Sequence, residues 1–395
     1  MNDPYYDPNE PPQDAVGRSE PPGPPPSSSD PEATTTPWGT LPPRPDAAPD
    51  FAPGPGGPSY SAMDGHLEPL PIPVAPTGVE NPATDRVRIG LWGAPRSGKT
   101  TYLASMAIAA MQQQRHSRSN WVVGGMNPES IEFLNDGVTQ LAIRRVFPEA
   151  TVGLQPLSWS FQGEEPKAGP FKKSRETGFI LEVQDVTGEA YRGDEANALR
   201  PRVLDQLARS QGLIYLFDPL LDSQRAGEGL NFLYSMLTEL NARVRDAGKL
   251  YRNRLPHHVS VCITKFDDPE VFRPAVEAGW VTQSQEGNRL PRVPDEQAAR
   301  FFQWMCDDVR GASARLVRDG LANFFHPSRI SYYATSAIGF RLNPQNVFDY
   351  RNYLNVEVVD GVRRICTSPV PINVLEPLID LEKRIRSVNA KPWQR

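Results

Sequence analysis

The chain has 395 residues, 42 of them proline, and carries 47 acidic against 42 basic side chains for a formal net charge of −5. No apolar run approaches the roughly 18 residues that a membrane-spanning helix needs. No basic segment followed by an apolar one opens the chain, so a soluble, cytoplasmic protein is expected. The three cysteines, Cys262, Cys306 and Cys366, are far apart and fit neither a disulfide framework nor a zinc-ligand spacing.

The first segment, 1–85, is set apart by composition. Of the 42 prolines, 23 lie in the first 86 residues, together with thirteen acidic residues and only three arginines. Few large apolar groups are present to offset the entropy of ordering, so a disordered, acidic, polyproline-leaning tail is expected. It would serve as a docking arm for a protein partner that reads proline, or as a solubilising bristle. Residues 86–395 are enough for one large α/β domain with insertions.

In chain order, the folded part opens with an apolar strand, Val87–Trp92. It runs into Gly93-Ala94-Pro95-Arg96-Ser97-Gly98-Lys99-Thr100, which fits G-x-x-x-x-G-K-[ST] at every fixed position. Leu103, Met106, Ala110 and Met111 then recur at helical spacing, to about Gln114. Asn127 reads as an N-cap with Pro128 at the first helical position. Ile131, Leu134, Val138 and Leu141 mark the stripe of a second helix, 128–146, read as an insertion. Leu157–Phe161 alternates like an edge strand, and the charged stretch 163–176 reads as a hairpin loop. Strand Phe179–Gln184 ends in Asp185-Val186-Thr187-Gly188-Glu189. Leu213–Phe217 is a fully apolar strand. A helix follows with Leu230, Leu233, Leu237, Leu240 and Val244 on one face and Gly248 as its stop. Val259–Ile263 leads to Thr264-Lys265-Phe266-Asp267. Residues 268–294 read as irregular, 295–324 as one long amphipathic helix, and Ile330–Ala334 as the last strand, ending in Thr335-Ser336-Ala337. An extended stretch, 341–371, precedes a final helix that starts by Pro377. Strands alternating with helices predict an α/β fold: a mostly parallel six-stranded sheet, helices on both faces, and helical insertions.

Ligands of such sheets sit at the carboxyl ends of the strands, where the unusual polar clusters fall. The glycines of the octet let successive backbone N–H groups converge on phosphate oxygens at a helix N-terminus. Lys99 would reach the β- and γ-phosphates, and the Thr100 hydroxyl would hold Mg²⁺, with Thr101 beside it in the first helical turn. Asp185 would stand near Mg²⁺ through water, and Gly188 would bring a bare backbone N–H to the γ-phosphate. The Asp267 carboxylate would accept both the ring N–H and the exocyclic amine of guanine, which adenine does not offer in that geometry. The aliphatic stem of Lys265 would lie along the base, and Ser336-Ala337 would present a backbone N–H to the guanine oxygen.

The set GAPRSGKT, DVTG, TKFD and TSA resembles the motifs of the translation-factor-related class of P-loop GTPases over most of 87–387. The layout is similar to that of the bacterial double-GTPase families, predicted regulators in conflict and signalling gene clusters. The resemblance implies a GTPase-like P-loop NTPase domain binding GTP or GDP with Mg²⁺. Gly93–Thr100 would bind phosphates and metal, Asp185 and Gly188 would read the γ-phosphate, and Thr264, Lys265, Asp267, Ser336 and Ala337 would bind the base. It also implies a metal-closing role for Thr151, and an internal arginine finger at Arg96, as in guanylate-binding and atlastin-like GTPases. The chain departs from the pattern at Thr264, where Asn is usual, and at Glu189, where many small GTPases carry Gln to position water. A non-catalytic nucleotide-binding scaffold and a P-loop ATPase remain alternative readings. Nucleic-acid binding is not expected, because the basic residues are scattered.

Overall fold

Seven strands form the main sheet of the computed structural model, which describes residues 86–116, 121–149, 155–165, 175–185, 194–221, 227–285 and 287–389. The proline-rich segment 1–85 lies outside the described residues, as do Thr151, Gly188, Glu189 and the side chain of Asp185.

Strand β1 (Val87–Gly93) is buried along nearly all its length because it has a parallel neighbour on each side. Helix α1 (Lys99–His116) buries Tyr102, Leu103, Met106 and Ala110 beneath the sheet. Met111, expected on that stripe, is exposed and lines an open apolar groove with Trp121 and Leu134.

An unexpected strand, β2 (Trp121–Gly125), takes the sheet's edge. Its two glycines and five-residue length leave little strand signal in the sequence. Asn127 caps α2 (Pro128–Val138) by accepting the Ser130 N–H at 2.9 Å, as its position predicts. The expected stripe holds at Leu134 and Leu141, which are buried, and at partly buried Val138, but not at Ile131. Ser130, Leu134 and Gly137 face inward and Ile131 is exposed. A Cβ on Gly137 would stand 2.8 Å from the Ala104 Cβ, so small residues let α2 approach α1 closely. A wide π turn, Thr139–Arg144, extends α2 and ends at left-handed Arg145.

Strands β3 (Gln155–Glu165) and β4 (Arg175–Asp185) pair antiparallel from Gln155↔Asp185 to Glu165↔Arg175. The edge position expected for Leu157–Phe161 is corrected, since β2 pairs along that side; the expected alternation holds, with Leu157, Trp159 and Phe161 buried and Ser158 and Ser160 partly exposed. Helix α3 (Asp194–Arg209) leads to β5 (Gly212–Phe217), every residue of which is buried. Helix α4 (Glu228–Asp246) buries Leu233, Leu237, Leu240 and Val244, and left-handed Gly248 stops it as expected.

Beyond β6 (His258–Ile263), the stretch expected to be irregular contains α5 (Pro269–Glu277), capped by Asp268. Pro274 lies inside this helix. Its missing N–H leaves the Glu270 carbonyl, which accepts from Arg310 instead. A minimal hairpin, β7 (Thr282–Gln283) and β8 (Pro291–Arg292), follows. The single helix expected over 295–324 is two, α6 (Asp295–Trp304) and α7 (Ala312–Phe324). A π turn at Met305–Val309 and left-handed Gly311 separate them. The last sheet strand is β9 (Ile330–Ala334). The extended stretch after it folds into a second hairpin, β10 (Val356–Val359) and β11 (Val362–Ile365), turned at left-handed Asp360-Gly361. Helix α8 (Glu376–Asn389) closes the described chain.

The strand order is β2-β3-β4-β1-β5-β6-β9, seven strands rather than the expected six. From β4 to β9 every pairing is parallel; β2 and β3 are antiparallel additions. Alternate residues of β5 feed two cores. Leu213, Tyr215 and Phe217 pack with α3, α4, α6 and α7, and Ile214 and Leu216 pack with α1 and α8. Each such fully buried Leu or Phe contributes about 1.5–3 kcal/mol. Among the described residues no helix is long and apolar enough to cross a membrane.

Candidate functional site

The chain leaves β1 toward β4 on one side and returns to β5 on the other, so β1 ends at the point where the strand order reverses. The Gly93–Thr100 loop opens from that point. A Cβ on Gly93 would stand 2.7 Å from Ser97 Oγ and 2.9 Å from the Leu216 carbonyl oxygen, so no other residue fits there. The Ser97 N–H donates to the Ala94 carbonyl at 3.1 Å. Arg96 and Gly98, either side of Ser97, have left-handed φ of 67° and 91°. Left-handed residues within a turn aim N–H groups into a common concavity of the kind that receives anions.

Lys99 Nζ donates to the Gly93 and Ala94 carbonyls, both at 3.0 Å, which lays the ammonium over the loop. Thr100 and Thr101 follow in the first turn of α1, both partly buried. Arg96 is exposed, whereas Ser97 is fully buried and its Oγ has no hydrogen-bond partner among the described residues. The Ser97 hydroxyl is thus a buried polar group left without a partner among the described residues, a costly arrangement.

Asp185 ends β4. The β1–β4 register runs Val87↔Phe179 to Gly90↔Glu182, which brings the carboxyl end of β4 beside the loop. Thr264, just past β6, is buried. Its N–H and its hydroxyl both donate to the Phe217 carbonyl, at 2.8 and 3.1 Å. It therefore ties β6 to β5 with the atoms expected to face a base.

Lys265 is left-handed, with φ 58°, and its Nζ reaches Asp218 Oδ2 at 2.7 Å. Asp218 directly follows β5, its side chain is 1% exposed, and its Oδ1 accepts the Leu220 N–H at 3.0 Å. Sequence reasoning missed Asp218. The signal was present, since it is an acid at the carboxyl end of the fully apolar run Leu213–Phe217, like the clusters that were chosen.

Phe266 is fully buried among Phe272, Phe301 and Phe340 and turns Asp267 back toward β9. Ser336 Oγ donates to Asp267 Oδ1 at 2.5 Å and accepts the Gly339 N–H at 2.8 Å. Burial pushes the Asp267 carboxyl up to about 6; the Ser336 hydrogen bond opposes that rise, the Asp268 carboxylate adds to it, and the Arg363 guanidinium opposes it. Ala337 is partly exposed beside this pair. The structure thus brings Gly93–Thr100, the end of β4, Lys265–Asp267 and Ser336–Ala337 to one end of the sheet.

No family profile and no curated protein sequence matches the chain. Among solved structures it is similar to SsGBP in complex with GDP, at 11% identity, 64% of this chain, 45% of that chain and a TM-score of 0.26. It is similar to Sup35 complexed with GDP, at 11% identity, 66% of this chain, 41% of that chain and a TM-score of 0.27. The GTPase-like domain of Saccharomyces cerevisiae Ski7, bound to GTP, matches at 13% identity, 67% of this chain, 46% of that chain and a TM-score of 0.31. The chain spans less than half the length of each of these three.

Proposed function

We propose that this chain is a guanine-nucleotide-binding protein that hydrolyses GTP with Mg²⁺ and acts as a regulatory switch in bacterial signalling or conflict systems. The observation that carries the reading is the 2.5 Å contact between Ser336 and Asp267, made at the same end of the sheet as the Gly93–Thr100 loop. A carboxylate held there by a hydroxyl suits the two donors of guanine.

In this reading Gly93–Thr101 receive the phosphates through backbone N–H groups, and the Ser97 hydroxyl adds a buried donor. Lys99 exchanges its carbonyl contacts for phosphate oxygens. Mg²⁺, held by Thr100, Asp185 and Thr151, would supply charge neutralisation at the β- and γ-oxygens. Lys265 lays its stem along the base while Asp218 holds its ammonium, and Ala337 offers its N–H to the guanine oxygen. Arg96 answers charge at the β–γ bridge, an effect worth several kcal/mol in phosphoryl transfer. Glu189 and Thr151 act at the γ-phosphate side, with Gly188. Residues 86–395 form the nucleotide domain, and segment 1–85 is the arm for a protein partner.

Equilibrium titration with GTP, GDP and ATP tests the base assignment. Guanine nucleotides should bind at least ~10-fold more tightly than ATP, a difference of about 1.4 kcal/mol; equal affinity would overturn it. Single-turnover phosphate release tests hydrolysis: binding without release would leave a nucleotide-bound scaffold.

A further inference from the structure

Three loops and the end of α1 surround an open polar cavity of about 390 Å³, which shares no residue with the Gly93–Thr100 loop, Lys265–Asp267 or Ser336–Ala337. Its walls come from the β7–β8 loop, the turn after Leu342 and the stretch that follows β11. The Phe348 N–H donates to the Asn288 carbonyl at 2.9 Å and Leu342 bridges Phe348, which fixes the first wall to the second. The third wall is tied to α1 and to the segment after β9. Gln112 Nε2 donates to the Pro369 carbonyl at 2.9 Å, and the Val370 N–H donates to the Ile338 carbonyl at 3.2 Å. The Thr367 N–H and hydroxyl donate to Asn355 Oδ1 at 2.9 and 2.8 Å, and the Asn355 amide donates to the same Ile338 carbonyl at 3.1 Å.

Asn343 Oδ1 accepts the Gln345 and Val347 N–H groups, both at 3.0 Å, so this side chain builds its turn with the oxygen alone. Asn346, left-handed at φ 60°, donates its amide to Asn288 Oδ1 at 3.3 Å. Four polar atoms of the lining then make no hydrogen bond among the described residues: Asn288 Nδ2, Asn343 Nδ2, Asn346 Oδ1 and Ser368 Oγ. They amount to two amide donors, one amide acceptor and one hydroxyl. None of the lining residues is charged, and Leu342 and Val370 supply the aliphatic part of the wall.

An ion would meet no countercharge on these walls, and covering a charge without a partner is costly. A wholly apolar ligand would cover the amide groups and leave them unpaired. A small molecule with several neighbouring hydroxyls avoids both costs, because each hydroxyl donates and accepts, and its C–H faces suit Leu342 and Val370. The volume falls at the lower end of the ~300–1,000 Å³ of small-molecule sites, which suits a sugar ring or two rather than a polymer. We propose that this cavity binds a neutral mono- or disaccharide, or a cyclic polyol of that size. Asn288 and Asn343 donate to its oxygens, Asn346 accepts from one of its hydroxyls, and Ser368 completes the set. The site is additional to the nucleotide reading and does not depend on it.

The test is saturation-transfer difference NMR on the full chain with glucose, maltose, trehalose and myo-inositol as probes, and with glucuronate as the charged counterpart of glucose. At least one neutral probe should bind wild type with a Kd of about 1 mM or tighter, and glucuronate should bind no better than glucose. Asn288→Ala removes a donor and should weaken that probe about 5-fold or more. Ser368→Trp places a large side chain at an exposed position of the wall and should abolish the signal; thermal melting checks that this variant folds. Absence of binding by every neutral probe at about 10 mM overturns the proposal. So does a signal that the folded Ser368→Trp variant keeps in full, or a clear preference for glucuronate over glucose.

Discussion

Ser336 Oγ donates to Asp267 Oδ1 at 2.5 Å, across 69 residues of chain. The contact exists because β6 and β9 are parallel neighbours, paired from Val259↔Ile330 to Ile263↔Ala334, so the turns that follow them start side by side. Replacing Asp267 with Asn keeps an oxygen for the Ser336 hydroxyl and turns one acceptor into a donor. Asp267→Asn should therefore shift preference from guanine to xanthine nucleotides, whose ring offers a carbonyl where guanine has an amine. Competition binding between GDP and XDP reads the outcome, and an unchanged preference would remove Asp267 from the base site.

The same carboxyl gives a signed stability prediction without nucleotide. Its folded-state value, about 6, lies above the ordinary carboxylate value. The folded protein therefore binds that proton more tightly than the unfolded chain does. The resulting stability is present in acid and is lost as pH rises through about 6. Asp267→Asn removes the buried charge, so at pH 8 the nucleotide-free variant should be more stable than wild type, by on the order of 1–3 kcal/mol. Urea unfolding at pH 5 and 8 measures it; the gain should shrink at pH 5.

His257 and His258, at the opposite end of β6, predict an acid sensitivity. Burial, the leading cause in both, lowers each to about 4, with Arg329 lowering both further. Here the unfolded chain binds the extra protons, so stability is held above about 6.5 and is lost as pH falls toward about 4. The slope is about 1.4 kcal/mol per pH unit per histidine. A His257→Leu variant should remove about 1.4 kcal/mol per pH unit from the slope between pH 6 and 4.5, as read by urea unfolding at stepped pH.

Two glycines of the loop should fail differently. Gly93→Ala forces a methyl against Ser97 Oγ and the Leu216 carbonyl at 2.7 and 2.9 Å. It should cost about 1–3 kcal/mol of stability, as overpacking does, and also abolish nucleotide binding. Gly98 has open space around its Cβ position but a φ of 91°. Gly98→Ala should cost about 1–2 kcal/mol through backbone strain alone, and calorimetry with and without GDP separates the two cases.

Asp218→Asn tests the lysine latch. It keeps an acceptor for the Leu220 N–H and removes the charge that holds Lys265. Because Lys265 is about a third exposed and can turn to water, the stability cost should be only about 1 kcal/mol. GDP affinity should fall several-fold, since Lys265 loses its fixed direction. Arg96→Ala should do the reverse: slower single-turnover phosphate release with affinity nearly intact.

The sequence by itself determined the parts governed by local rules. The buried strands were legible from apolar runs, the start of α2 from Asn127-Pro128, the stop of α4 from Gly248, and the Gly93–Thr100 loop from its glycines. Each depends on residues a few positions apart, so a linear reading suffices.

Only the tertiary structure decided the rest. Edge strand β2 exists because β3 offers it a partner, not because Trp-Val-Val-Gly-Gly has strong strand preference. Ile131 is outside and Ser130 inside because Gly137 lets α2 press against Ala104. Helix α5 tolerates Pro274 because Arg310, 36 positions further on, takes the carbonyl that proline leaves. Asp218 became a partner of Lys265, and Arg363 a neighbour of Phe147, only when separate segments met. In each case the deciding free energy comes from a contact between residues far apart in the chain, and no local pattern encodes which of them will meet.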